Sequence, residues 1–133
     1  MALPNNWLIA TNGTKYASKA VVHAGTLYAS LPNKPKVTIL VVAHDEEGEF
    51  EATEILSGAL DEFDGEAHSK EEVDLEVRVG NAAEVILRTA KDLSIDQLFI
   101  GAGDFKYDIN APGQGGISNK LLNSFHGVIT LVR

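Results

Sequence analysis

Apolar and polar positions along this chain switch repeatedly between two periods. Trp7-Leu8-Ile9-Ala10 is a short apolar run after Pro4-Asn5-Asn6 and predicts a first buried strand. Thr11-Asn12-Gly13-Thr14 predicts a turn. Ala17, Ala20, Val21, Ala24, Leu27, Tyr28 and Leu31 then recur at three and four, the stripe of an amphipathic helix. That helix ends before Pro32, with Pro35 close behind, because proline lacks the donor a helix needs. Val37-Thr38-Ile39-Leu40-Val41-Val42-Ala43 is β-branched and almost wholly apolar, the composition of a parallel strand buried on both faces. A second helix is predicted from about Phe50, with Ala52, Ile55, Leu56, Ala59, Leu60 and Phe63 on one face and Gly65 as its end.

Val73, Leu75, Val77 and Val79 alternate with Asp74, Glu76 and Arg78, so this strand is expected at or near a sheet edge, with one wet face. Gly80-Asn81 turns the chain into a third helix. Asn81 is its expected cap and Glu84 the second half of a capping box, with Val85, Ile86, Thr89, Ala90 and Leu93 facing the core. Gln97-Leu98-Phe99-Ile100 reads as a fourth strand. A fourth helix follows from about Ile117 to Phe125, and a last strand from Val128 to Arg133. Strands alternating with helices predict an α/β sandwich in which a parallel sheet is covered on both faces. Ligands of such sheets bind beyond the carboxyl ends of the strands, where the strand order reverses. The loops 11–14, 42–45 and 101–117 all leave such ends and are expected to converge.

A chain of 133 residues with 44% hydrophobic and 23% charged side chains suits one domain, 1–133, with a real core. No apolar run approaches the ~18 residues of a membrane span, and Met1 to Asn6 lacks the basic and apolar regions of a secretory signal. With no cysteine there is no disulfide framework, thiolate metal site or cysteine nucleophile. These features together predict a cytoplasmic protein without a membrane partner. The net charge of -8 argues against nucleic acid as a partner, since a binder must neutralise phosphates. The acid crowds two segments, Asp45 to Glu54 and Asp61 to Glu72, and reads as a solvated outer face.

The candidate chemistry lies between the fourth strand and the fourth helix. Gly101-Ala102-Gly103 ends the strand, and Gly113-Gln114-Gly115-Gly116 opens the helix. Glycine lets backbone approach a ligand, and a helix N-terminus presents unpaired N–H groups to an anion. The same glycines could serve only as turns and a helix start, and both readings stand on the sequence. Of the four histidines, only His44 is placed at the ligand end of the sheet. Neither a nucleophile elbow, a zinc-binding HExxH nor a phosphate-loop lysine is present.

Three stretches in order resemble the universal stress protein family. These are Leu8 to Thr14 with Ser18, Val77-Arg78-Val79-Gly80-Asn81-Ala82, and Asp96 to Gly101 followed by Gly115-Gly116-Ile117-Ser118-Asn119-Lys120-Leu121-Leu122 and the final Val128 to Arg133. The resemblance spans essentially the whole chain. It implies a three-layer, Rossmann-like α/β sandwich around a mainly parallel five-stranded sheet, of the adenine nucleotide hydrolase-like type. It also implies an adenine nucleotide, usually ATP, with or without Mg²⁺, in a subset of members. The implied nucleotide-binding positions are Thr11, Asn12, Gly13, Val42, Gly101, Gly103, Gly115, Gly116, Ile117 and Ser118.

The chain departs from that subset. Asn12 stands where those members carry Asp, Asp104 takes a glycine position unless Gly103 serves, and Gly116 replaces Ser or Thr. Asn12 fits either adenine recognition or turn chemistry before Gly13. Ser118 fits either a phosphate or its own helix backbone. Neither a catalytic residue nor a metal ligand is identified, so any ATP hydrolysis is expected to be slow. The expected function is a stress-response regulatory module that binds an adenine nucleotide. The alternative is a protein-interaction domain of the same fold that binds none. The resemblance further implies a homodimer through residues 128–133, and an uncharged strand at a sheet edge would pair with a second copy on physical grounds alone.

Overall fold

The computed structural model describes residues 4–102 and 117–133. Five strands form one parallel sheet: β1 (Asn6–Ala10), β2 (Lys36–Ala43), β3 (Asp74–Val79), β4 (Gln97–Gly101) and β5 (Val128–Val132). Four helices connect them: α1 (Lys15–Ser30), α2 (Glu49–Ala67), α3 (Ala82–Asp92) and α4 (Ile117–Ser124). The strand order is β3-β2-β1-β4-β5. The chain builds outward from β1 to β3, then crosses back to start the other half at β4. The order therefore reverses between β1 and β4.

The period of two along each strand sorts the core into two layers. Trp7, Ile9, Val37, Ile39, Val41 and Phe99 face α1 and α2, where they meet Val21, Ala24, Tyr28, Leu56 and Phe63. Leu8, Ala10, Leu40, Leu98 and Ile100 face the other side, against Ile86, Ala90 and Leu121 of α3 and α4. Trp7, Phe99, Tyr28 and Phe63 form an aromatic chain through the first layer: Trp7 to Phe99 at 4.8 Å, Trp7 to Tyr28 at 6.3 Å and Tyr28 to Phe63 at 5.4 Å. The last two are edge-to-face, the arrangement that ring quadrupoles favour. This is the predicted three-layer α/β sandwich, and β3 is the predicted edge strand.

Local chemistry explains most element boundaries. The Thr14 side chain accepts the Ala17 N–H at 3.3 Å and caps α1. At the other end the Tyr28 carbonyl accepts the Leu31 N–H at 3.2 Å and Lys34 Nζ at 2.7 Å, placing a cation at the negative end of the helix. Asn81 caps α3 through the Glu84 N–H at 3.2 Å, as expected. The carboxylate of Glu84 pairs with Lys120 of α4 at 3.6 Å. One boundary differs from the sequence reading. Helix α2 runs through Gly65 to Ala67, and His68 takes the left-handed cap at φ 47°. Ala67 is buried, so packing of the final turn outweighs the tendency of Gly65 to stop the helix.

The two sheet edges are built differently. Edge β3 carries Asp74, Glu76 and Arg78 among its apolar residues. Arg78 donates to Asp92 at the end of α3 at 3.1 Å and to Glu76 at 3.3 Å. Edge β5, Val-Ile-Thr-Leu-Val, has no charge, and Val128 and Leu131 are exposed to 46% and 37%. Among the described residues no helix is long and apolar enough to cross a membrane.

Candidate functional site

A cleft opens at the carboxyl ends of the strands, where the order reverses. Its floor is Ala10 of β1, Leu40 and Val42 of β2 and Ile100 of β4. Ala82 and Ile86 of α3 and Ile117 and Leu121 of α4 form the opposite wall, and Thr11 and Asn12 form a polar lip. The cleft encloses about 70 Å³ and opens to solvent at its mouth. None of these lining residues is titratable. Among the described lining residues the walls are aliphatic, and polar side chains are confined to the lip. That arrangement suits a planar, weakly polar ring system with polar groups at its edge.

The lip is held by its own hydrogen bonds. Thr11 N–H donates to the Leu40 carbonyl at 3.0 Å, continuing the sheet past the end of β1. Its side-chain oxygen accepts the Gly13 N–H at 3.3 Å. Asn12 Oδ1 accepts the Thr14 N–H at 3.1 Å, an Asx turn that feeds directly into the cap of α1. Gly13 has φ 79°, where a side chain is strained, and a Cβ there would sit 3.1 Å from Ile55 of α2. The turn chemistry read for Asn12 is therefore present, alongside its place on the lip.

Of the positions singled out in the sequence, Thr11, Asn12, Val42 and Ile117 line this cleft together. Gly13 shapes the loop behind it. Gly101 is buried at the end of β4, where α1 crosses. A Cβ there would lie 2.5 Å from the Tyr16 carbonyl carbon and oxygen and 2.6 Å from Ala17 N. Close packing of strand on helix thus accounts for this glycine without a ligand. Gly103, Gly115 and Gly116, like Asp104, lie outside the described residues, and Ser118 is placed only as a backbone position within α4. His44 does not line the cleft. It lies on the α2 side of β2, in a larger, more open recess with Gly48, Glu51 and Ile55 that shares Asn12 and Val42.

Of the aliphatic wall, sequence reasoning named Ile117 and missed Ala82, Ile86 and Leu121. Ala82 and Ile86, and Ile117 and Leu121, are pairs four apart on their helices, so each helix offers one face to the cleft. The spacing was visible, but it reads equally as core. Among the described residues, no cluster of His, Asp or Glu could hold a metal ion.

The comparisons agree with this architecture. Residues 5–132 match the model of the universal stress protein family. None of the curated proteins matches the chain significantly. A universal stress protein solved in complex with cAMP superposes with a TM-score of 0.84 at 17% identity, covering 99% of this chain and 98% of that one. The universal stress protein of Archaeoglobus fulgidus gives a TM-score of 0.74 at 14% identity, covering 98% and 100%. UspA of Lactobacillus plantarum gives 0.67 at 16% identity, covering each chain fully at 100%. At such identities the likeness carries the fold. With the family model matching almost end to end, this chain belongs to the universal stress protein family.

Proposed function

We propose that this protein is a cytoplasmic stress-response regulatory module that binds an adenine nucleotide in the cleft at the β1/β4 switch point. The observation that carries the reading is the cleft itself, an aliphatic slot between sheet and helices with Thr11 and Asn12 at its mouth. An adenine ring would bury its faces against Val42, Ile86 and Ile100. Its edge nitrogens and ribose hydroxyls would meet the lip. That one structural neighbour was solved with cAMP supports a nucleotide of this class. The lining residues described supply no acid–base pair, which favours binding without turnover.

Calorimetry of the whole chain with ATP, ADP, AMP and cAMP, each with and without Mg²⁺, tests this. Micromolar binding is expected, lost in Ala82→Trp, whose ring fills the slot while the sheet stays intact by thermal melting. A ligand that binds only the folded state also raises the melting temperature. No binding at millimolar nucleotide would refute the reading.

A second reading rests on β5. Its edge is unpaired among the described residues and uncharged, and it exposes Val128 and Leu131. We propose that a second copy pairs with residues 128–133 to give a homodimer. Without nucleotide binding, the protein would act through such contacts alone.

A further inference from the structure

We propose that Asn12 is a site of spontaneous deamidation, so that the lip of the cleft exists in an amide form and, with time, a carboxylate form. Asn12-Gly13 is the only Asn-Gly pair in the sequence, and both residues are exposed. The Asx turn swings the carboxamide over the Gly13 amide to reach Thr14. Ring closure needs the Gly13 nitrogen to reach Asn12 Cγ, and Gly13 has no Cβ to obstruct that approach.

The reaction balances with water alone. Gly13 N bonds to Asn12 Cγ, the Cγ–Nδ2 bond breaks, and ammonia leaves with the proton given up by the Gly13 amide. The resulting cyclic imide takes up one water at either carbonyl and opens to Asp or to its β-linked isomer.

The surroundings assist each stage. As the ring closes, negative charge develops on Oδ1, the atom that already accepts the Thr14 N–H at 3.1 Å. Thr14 caps α1, so the positive end of that helix lies beside the developing charge. Among the described residues the Gly13 N–H meets Thr11 Oγ1 through a long bond of 3.3 Å, so its proton already faces an acceptor. Other asparagines lack this set. Asn6, Asn33 and Asn81 all precede residues with side chains.

The consequence is a change of one charge at the mouth of the cleft. The Asp product keeps the acceptor for Thr14, now as a charge-assisted bond, and loses a donor. The β-linked product lengthens the backbone by one carbon, in a turn where even an added Cβ at Gly13 would crowd Ile55 at 3.1 Å. The chemistry stands apart from the nucleotide reading. Only the effect on affinity rests on that reading.

The test holds the folded full chain at mildly alkaline pH and physiological temperature for days. Acidic digestion and fragment-ion mass spectrometry then locate each lost amide and separate the two products. Conversion at Asn12 is expected to run at least an order of magnitude faster than at Asn33 or Asn81, with none at this position in Asn12→Gln, whose ring closes far more slowly. A urea-unfolded sample gives the rate without the fold. Conversion in the folded chain slower than that by an order of magnitude, or no faster than at Asn33 and Asn81, would overturn the proposal. The mass readout decides this whether or not a nucleotide binds.

Discussion

Gly101 offers the sharpest separation between a glycine kept for a ligand and one kept for packing. In Gly101→Ala the new methyl would lie 2.5 Å from two backbone atoms of Tyr16 and 2.6 Å from Ala17 N. Ordinary contact begins near 3.5 Å, so α1 would have to retreat by about 1 Å. Its first turn cannot do so freely, because Ala17 and Ala20 are fully buried and Thr14 fixes its start. Overpacking of this kind costs about 1–3 kcal/mol, and backbone obstacles place this case at the upper end. Against a total stability of about 5–15 kcal/mol that is a large share.

The assay is urea unfolding followed by tryptophan fluorescence, since the single Trp7 is 1% exposed and packed on Phe99. The midpoint should fall with the slope unchanged. The control is Gly58→Ala in α2, where a Cβ meets nothing within 4 Å. That change should stabilise by about 0.4–1 kcal/mol, by restricting the unfolded chain and favouring helix. If Gly101→Ala is as stable as the parent, the packing account fails, and the glycine must serve something else at the cleft.

Other consequences are equally open to measurement. Leu121→Ala empties a fully buried site in the second core layer and should cost about 2–5 kcal/mol by the same unfolding assay. Asn81→Ala removes the cap of α3 and should cost about 1 kcal/mol. Arg78→Met should cost less than about 1 kcal/mol, and the loss should shrink in high salt, because the Glu76 and Asp92 pairs are partly exposed. The Arg78 guanidinium is held above its ordinary value, chiefly by its hydrogen bond to Asp92. A raised value means the stabilisation is intact throughout the neutral range and is lost only as pH rises through the strongly alkaline folded value, so an alkaline titration through neutrality should leave the Arg78 effect unchanged. Val128→Lys with Leu131→Lys should convert a dimer to monomer in sedimentation velocity, and an unchanged oligomer would rule out β5 as the contact.

The order and type of the elements were legible in the sequence because both periods are local. Ala17 to Leu31 cannot bury one stripe except as a helix, and Val37 to Ala43 has no wet face to offer except as an inner strand. Asn81 was placed as a cap by the same short-range chemistry. The lip residues Thr11 and Asn12 were singled out because a turn after a first strand is readable in the residues themselves, and the family resemblance gave that turn an expected function. What remained hidden depends on distant contacts. The end of α2 was decided by Ala67 meeting the core, against the local preference of Gly65. The aliphatic wall needed α3 and α4 to be brought over the gap between β1 and β4, and nothing in Ala82, Ile86 or Leu121 alone distinguishes a cleft wall from core. Gly101 looked like part of a ligand loop until the crossing of α1 showed what its missing side chain makes room for. Periodicity fixes which face of an element is apolar, but only the packed sheet decides which apolar faces meet one another and which are left lining a space.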